Sequence, residues 1–381
     1  MSGLYLHIPY CKQVCYYCDF HFRTDMKNRA AMLVAMQREI SLRKDYLRQQ
    51  DEKGKIMIHT LYFGGGTPSI LSLHDLSLLL ETVQQYYTLS PCAEITLEAN
   101  PDDLTDEYLS GLRDLNINRL SIGIQSFRDD DLLRMNRRHT AREGVQAVER
   151  AQRKGWHNIN IDLMYGLPGM SLSQWKDALR QAVALDVPHL SAYHLTIEPR
   201  TVFGKRKERG ENFAVPEEDS VAQFNLLLDV CEEAGYEHYE ISNFARPGYY
   251  SRHNTDCWRQ IPYIGVGPSA HSFDRQSRQW NVSNNARYIE LLEKEEEWFE
   301  REWLSVSEAY NDYILTSLRT AWGVDAAHIR RHFGDCLADA FEQQATGYIR
   351  NGFIADRAGD IYVLTRKGKM TADRITSDLF C

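Results

Sequence analysis

No apolar run in this chain of 381 residues approaches the ~20 residues that a membrane-spanning helix requires. No signal peptide is expected ahead of Tyr5, where the first apolar strand pattern already begins. Positive charge is also in short supply: the formal net charge is -9, which argues against a general nucleic-acid binder. The one basic cluster, Lys205-Arg206-Lys207-Glu208-Arg209, reads as a solvated loop. Eight cysteines in the whole chain are too few for a disulfide scaffold, so a reducing compartment is the simpler assumption. With a hydrophobic fraction of 43%, these absences leave a soluble cytoplasmic protein as the expectation. The length suggests two or three domains, one with a large core and one a smaller appendage.

What the chain does have is three cysteines close together near its start. Cys11, Cys15 and Cys18 stand as C-x3-C-x2-C just after the pattern Tyr5-Ile8. Three thiolates on one short loop suit three irons of a four-iron four-sulfur cluster and leave the fourth iron without a protein ligand. An open coordination position lets a cofactor or substrate bind directly. Structural zinc is a weaker reading, because His7 and His21 do not stand at ordinary zinc-finger spacing. A disulfide, or plain burial of three cysteines, is the bland alternative.

Short runs rich in β-formers alternate with longer helical patterns. Strands are expected at Tyr5-Ile8, Thr60-Phe63, Ile95-Glu98, Leu120-Ile124, Ile159-Met164 and Leu190-Leu195. Helices are expected at Met32-Tyr46, Asp75-Tyr87, Glu143-Arg153 and Ser173-Leu185. Alternation of this kind gives an α/β fold with a parallel sheet. Six units fall short of the eight in a closed barrel, so the expected form is a partial (β/α)6 barrel.

Functional groups of such folds gather where strands end. Strand Leu61-Phe63 runs into Gly64-Gly65-Gly66-Thr67-Pro68, where missing side chains let a ligand approach the backbone. Glu98, Gln125 and Asp162 end three later strands, as helix caps or as ligand contacts.

The cysteine triplet, the Gly64-Pro68 turn, Gly123-Ile124-Gln125-Ser126-Phe127 and Asp162-Leu163-Met164-Tyr165-Gly166-Leu167-Pro168 occur in this order. Together they resemble the radical S-adenosylmethionine proteins. Within that superfamily the chain is similar to the branch that holds oxygen-independent coproporphyrinogen III oxidase and the heme chaperones of the HemW type, over nearly its whole length. The resemblance implies that Cys11, Cys15 and Cys18 hold a 4Fe-4S cluster whose open iron is chelated by S-adenosyl-L-methionine, the source of a 5'-deoxyadenosyl radical. It implies Tyr5 and Tyr17 close to that cofactor, Gly65, Gly66 and Thr67 at its methionyl end, and Glu98, Gln125, Arg137 and Asp162 completing the pocket. Acidic groups suit ribose hydroxyls and an ammonium, and a planar guanidinium suits a carboxylate.

A second constellation follows. Ser251-Arg252-His253-Asn254-Thr255-Asp256-Cys257-Trp258 resembles the family pattern H-N-x-x-Y-W, with Cys257 standing where the pattern has tyrosine. In the family this segment is linked to heme, which makes His253 the natural axial ligand and Cys257 a second candidate. The bland reading of His253 is a buried histidine with satisfied hydrogen bonds. Glu293-Glu302 reads as a charged helical connector. Helices at Glu308-Thr320, Ala326-Phe333 and Ala338-Asn351 and a strand at Ile361-Thr365 resemble the family's small winged-helix-like α+β domain, with no nucleic acid expected there. The expected domains are 1–245 for the barrel, 246–304 for the heme-motif segment and connector, and 305–381 for the C-terminal domain.

Two functions remain open from the resemblance. One is a heme chaperone delivering heme to acceptor proteins; the other is an oxidase decarboxylating coproporphyrinogen III to protoporphyrinogen IX. The oxidases carry a fourth cysteine two positions past the third, where this chain has Phe20, and an N-terminal extension expected to be missing here. The chaperone is therefore the preferred expectation. Its implied partners are heme, an electron donor and acceptors that include membrane-bound respiratory enzymes, reached from the cytoplasm or from the membrane surface.

Overall fold

The computed structural model describes residues 2–47, 54–357 and 360–381. Its first half alternates strand and helix: β1 (Gly3–Ile8), α1 (Arg29–Leu42), β2 (Met57–Gly65), α2 (Leu73–Tyr86), β3 (Thr88–Ala99), α3 (Asp106–Asp114), β4 (Arg119–Gln125), α4 (Asp129–Arg134), α5 (Ala141–Arg153), β5 (Ile159–Tyr165), α6 (Leu172–Ala184) and β6 (His189–His194). All six strands expected from the sequence are present, mostly longer than their apolar runs. The strands alternate, as a period of two requires. Leu4, Leu6, Leu61, Phe63, Leu97, Ile122 and Ile161 are fully buried against the helical layer. The intervening residues, among them Tyr5, Tyr62, Glu98, Ser121 and Asp162, face the lumen on the other side. Parallel strands are usually apolar on both faces, so a polar inner face marks the lumen as the working surface.

The chain continues through α7 (Val202–Glu208), α8 (Glu217–Glu233), β7 (Glu237–Glu240), β8 (Asn243–Ala245), α9 (Arg252–Trp258), β9 (Tyr263–Val266), β10 (His271–Phe273), β11 (Ser277–Asn281), α10 (Asn285–Lys294) and β12 (Phe299–Trp303). The sheet is open and larger than expected, in the order β12-β11-β10-β9-β1-β2-β3-β4-β5-β6-β8-β7. Strand β9 lies parallel to β1, and β10 to β12 extend that edge antiparallel. Two local expectations fail. The basic cluster at 205–209 is not a loop, since residues up to Glu208 are helical in α7. The charged connector is helical only to Lys294, after which Phe299–Trp303 pairs with β11 as a strand.

Five further helices and three strands form a second layered unit: α11 (Val306–Leu318), β13 (Val324–Asp325), α12 (Ala326–Phe333), α13 (Asp335–Arg350), β14 (Ile354–Arg357), β15 (Ile361–Leu364), α14 (Arg366–Lys369) and α15 (Ala372–Asp378). The small sheet, ordered β13-β15-β14, packs with the helices around Tyr310, Ile314, Phe341 and Leu379, a core distinct from that of the large sheet. Among the described residues no helix is long and apolar enough to cross a membrane.

Candidate functional site

The loop after β1 carries the three cysteines over the C-terminal ends of the parallel strands. Backbone bonds from Cys11 N–H to the Arg23 carbonyl at 3.0 Å and from Arg23 N–H to the Pro9 carbonyl at 2.9 Å close its base. Tyr16 N–H donates to the Met135 carbonyl at 3.1 Å, and Phe203 N–H to the Tyr16 carbonyl at 2.9 Å, so elements beyond β4 and β6 clasp the loop. Thr67 Oγ1 donates to Cys11 Sγ at 3.2 Å and Arg137 Nη1 to Cys15 Sγ at 3.3 Å. Burial pushes the Cys11 thiol up to about 12 and that of Cys18 to about 11, so a cation must draw off the protons before thiolates form there. Among the described residues no three His, Cys, Asp or Glu side chains converge as a single metal ion demands. A four-iron cluster takes at most one thiolate per iron, so the three cysteines of the loop suit three of its irons.

Beneath the loop the lumen holds carboxylates around one arginine. Glu98 accepts from the Tyr62 hydroxyl at 2.8 Å. Its carboxyl is pushed up to about 7, first by burial and then by the facing Asp162, against the hydrogen bonds of Tyr62 and the Gly65 amide. Asp162 accepts from Asn160 Nδ2 at 2.8 Å and from Ser121 Oγ at 3.4 Å, and is also raised by burial. Arg119, at the start of β4 and 2% exposed, makes no side-chain hydrogen bond among the described residues; its Nε is sealed without a partner. Its charge lowers the carboxyl pKa of Glu94, Glu98 and Asp162.

Between loop and lumen the backbone is shaped for close approach. Gly65 has φ +107°, and a Cβ on Gly66 would stand 2.6 Å from the Tyr10 carbonyl oxygen, so neither position admits a side chain. Gln125 ends β4 at φ +65°, where the register with β5 slips. Strain of this kind on a non-glycine residue collects at functional sites. Arg137 spans the gap: Nη2 donates to Asn100 Oδ1 at 2.6 Å and to the Gly123 carbonyl at 2.8 Å, while buried Nε has no protein acceptor. An unfilled guanidinium donor beside bare backbone and facing carboxylates fits a ligand that bears both a carboxylate and an ammonium. Burial also raises the phenol pKa of Tyr5 and Tyr17, the latter against the charge of Arg137.

The two heme candidates lie elsewhere. His253 Nδ1 meets Thr60 Oγ1 at 2.9 Å, and its ring stacks 5.0 Å from Tyr62 and 6.2 Å from Tyr5. The backbone N–H groups of Arg252 and His253 donate to Glu94 Oε1 at 2.9 and 3.2 Å, fixing α9 across the floor of the lumen. Gly3 pairs in register with Thr60 at this end, and Ile8 with Gly65 at the other. Five residues of strand, roughly 16 Å, therefore separate His253 from the cysteine loop. Burial lowers the His253 pKa to about 4 and raises that of Cys257 to about 12. His253 is 6% exposed, with Nδ1 engaged by Thr60 and no hydrogen bond at Nε2 among the described residues.

Arg119, Asn100 and Tyr62 carry no signal of their own in the sequence motifs. The available signal was Arg119 opening an apolar strand, a position where a solvated residue is the ordinary expectation.

Residues 5–182 match the Radical SAM superfamily, and residues 304–371 match the HemN C-terminal domain. The heme chaperone HemW of Bacillus subtilis is 32% identical over 378 residues, 98% of each chain. That of Escherichia coli K12 is 39% identical over 271 residues, 71% of this chain and 69% of the relative. The solved structure of Escherichia coli coproporphyrinogen III oxidase, HemN, superposes with a TM-score of 0.85 at 22% identity, covering 100% of this chain and 90% of that one. The fold is thus that of HemN, and the chain belongs to the HemW family within the radical S-adenosylmethionine superfamily.

Proposed function

We propose that the protein is a heme chaperone that binds a 4Fe-4S cluster, S-adenosyl-L-methionine and heme, and delivers heme to acceptor proteins, membrane-bound respiratory enzymes among them. The observation that carries this reading is 32% identity to the Bacillus subtilis heme chaperone in a match that covers 98% of both chains. Superfamily membership implies the cluster and S-adenosyl-L-methionine, which together supply one-electron reductive chemistry when bound and require an electron donor. Cys11, Cys15 and Cys18 would ligate the cluster, with Thr67 and Arg137 donating to two of the sulfurs. Arg137 would turn its free Nε to the methionyl carboxylate; Glu98, Gln125 and Asp162 would take the ammonium and ribose, against the bare backbone of Gly65 and Gly66. Tyr5 and Tyr17 would wall the cofactor. The barrel is read as 1–245, the heme-motif segment as 246–304 and the C-terminal domain as 305–381. His253 and Cys257 stay the motif-borne candidates for iron.

The test is mass spectrometry of anaerobic reactions of the reconstituted protein with S-adenosyl-L-methionine, reductant and coproporphyrinogen III, beside a sample loaded with hemin. Unchanged porphyrinogen together with hemin that stays with the protein through gel filtration is the expected result. Loss of two carboxyl groups from the porphyrinogen overturns the reading in favour of the oxidase.

A further inference from the structure

Strand β3 ends at Ala99, and the chain turns at Asn100 into the short helical turn Pro101–Asp103. An asparagine ahead of a helical turn ordinarily caps it with its side-chain oxygen, yet Asn100 makes no side-chain cap bond there. Its half-buried side chain reaches the other way, toward the cysteine loop. Oδ1 accepts from Arg137 Nη2 at 2.6 Å, and Nδ2 donates to Thr67 Oγ1 at 3.4 Å. The turn itself is held without the amide: the Asn100 backbone N–H donates to Ser69 Oγ at 3.1 Å, and Ser69 Oγ donates to Asp103 Oδ2 at 2.8 Å.

These partners leave the amide one orientation. A guanidinium only donates, so the amide oxygen must face Arg137 and the amide nitrogen must face Thr67. Thr67 Oγ1 then receives a proton from Asn100 and points its own at Cys11 Sγ, 3.2 Å away. Arg137, fixed by Asn100 and by the Gly123 carbonyl, directs Nη1 to Cys15 Sγ at 3.3 Å. Donors to two sulfurs of the triplet are thus seated on a single side chain. Reduction of an iron-sulfur cluster adds negative charge to its sulfurs, and hydrogen bonds to those sulfurs help set the potential.

We infer that Asn100 is a positioning residue of the cofactor site. It sets the direction of the Thr67 hydroxyl and the Arg137 guanidinium, so that their hydrogen bonds to the Cys11 and Cys15 sulfurs favour the reduced cluster while Arg137 Nε stays free for the methionyl carboxylate. The inference rests on the reading of the triplet as cluster ligands. Its polarity makes it distinctive. Asn100→Asp keeps an acceptor for Arg137 but has no N–H for Thr67, whose hydroxyl then turns to the carboxylate and away from Cys11.

Anaerobic redox titration of the reconstituted full chain reads the cluster potential, and calorimetry reads S-adenosyl-L-methionine affinity, in wild type, Asn100→Ala, Asn100→Asp, Thr67→Val and the double variant Asn100→Asp/Thr67→Val. Iron content and circular dichroism melts verify loading and folding, and Asn100→Asp, close to asparagine in shape, carries the test should Asn100→Ala lose the cluster. Each single variant should lower the ratio of reduced to oxidised cluster about tenfold at fixed potential, a shift of about 59 mV for one electron. Asn100→Asp should shift the potential less in the Thr67→Val background than in wild type, because the hydroxyl it turns is already gone; added charge acting through space shifts both backgrounds equally. Affinity for S-adenosyl-L-methionine should weaken about tenfold in Asn100→Ala and stay near wild type in Asn100→Asp, which still holds Arg137. Wild-type potentials in both Asn100 variants, or equal shifts in the two backgrounds, overturn the inference. A wild type that takes up no four-iron cluster overturns the reading of the triplet instead, and the unsubstituted control alone reports it.

Discussion

A carboxyl group at the end of a parallel strand loses water without gaining a full ionic partner, and Glu98 is in that position. Burial raises its pKa from 4.5 to about 7, so the folded state holds the proton more tightly than the unfolded chain. Its contribution to stability is therefore whole below pH 4.5 and is lost as pH rises through about 7. The loss is on the order of 2 kcal/mol once water entering the lumen is allowed for. Urea unfolding of cluster-free protein should show stability falling between pH 5 and 7.5, and the fall should be shallower in Glu98→Gln. Asp162, Glu94 and Glu240, raised in the same direction by burial, keep the slope from vanishing. An unaltered slope in Glu98→Gln would show that the lumen does not desolvate this residue. At this scale the sequence was informative where the chemistry is local. Three cysteines within eight positions and a run of glycines announce themselves, whereas Arg119 and Asn100 matter only because strand register and the turns after it carry them to Glu98 and Arg137. Nothing in their neighbours along the chain records that.

Elements are held in place by polar anchors whose strengths differ. Buried Glu39 on α1 accepts from Arg43 Nε at 2.7 Å, from Asn281 Nδ2, Trp298 Nε1 and the Gly267 N–H at 2.8 Å each, and from the Tyr288 hydroxyl. One carboxylate thus ties α1 to β11, α10 and the turn after β9. Glu39→Ala strands buried Arg43 and four further polar partners, and should cost about 3–5 kcal/mol. Ser171→Ala removes only the exposed capping box with Gln174 at the start of α6, and should cost about 1 kcal/mol. Chemical denaturation of both variants compares the two; equal costs would deny Glu39 its anchoring role. The same contrast explains what could be read from the sequence. Strands β1 to β6 carry branched apolar residues toward the helices and were legible. Ser277–Asn281 and Phe299–Trp303 are short and polar, with β propensity masked by charge. They become strands through pairing with each other, and through Arg301 lying 5.4 Å from the Trp303 ring and 5.7 Å from that of Tyr46.

Across the whole molecule the two cores meet along a polar seam. Ile241 N–H donates to the Arg319 carbonyl at 3.1 Å and Ala321 N–H to the Tyr239 carbonyl at 2.9 Å, splicing the end of the large sheet to the turn after α11. Arg366 reaches Asp229 Oδ1 at 2.5 Å and Asn225 Oδ1 at 2.7 Å on α8, and Lys369 Nζ donates to His238 Nδ1 at 2.8 Å. Burial, helped by the nearby Arg357 charge, lowers the Lys369 pKa from 10.5 to about 8, and burial beside Lys369 holds His238 down near 3. The folded seam therefore prefers the neutral amine. Its stabilising effect is complete above pH 10.5 and is lost as pH falls through about 8. Between pH 7 and pH 9 the penalty for closing the seam over a charged lysine should shrink by about tenfold in equilibrium constant. Hydrogen exchange at the Ile241 and Ala321 amides, corrected for intrinsic rates, measures that closure directly. Protection should rise across this range in the wild type and stay level in Lys369→Met, which carries no charge to lose. A parallel rise in both would place the pH response outside the seam, while a level response in both would mean that Lys369 keeps its charge solvated when the two cores dock.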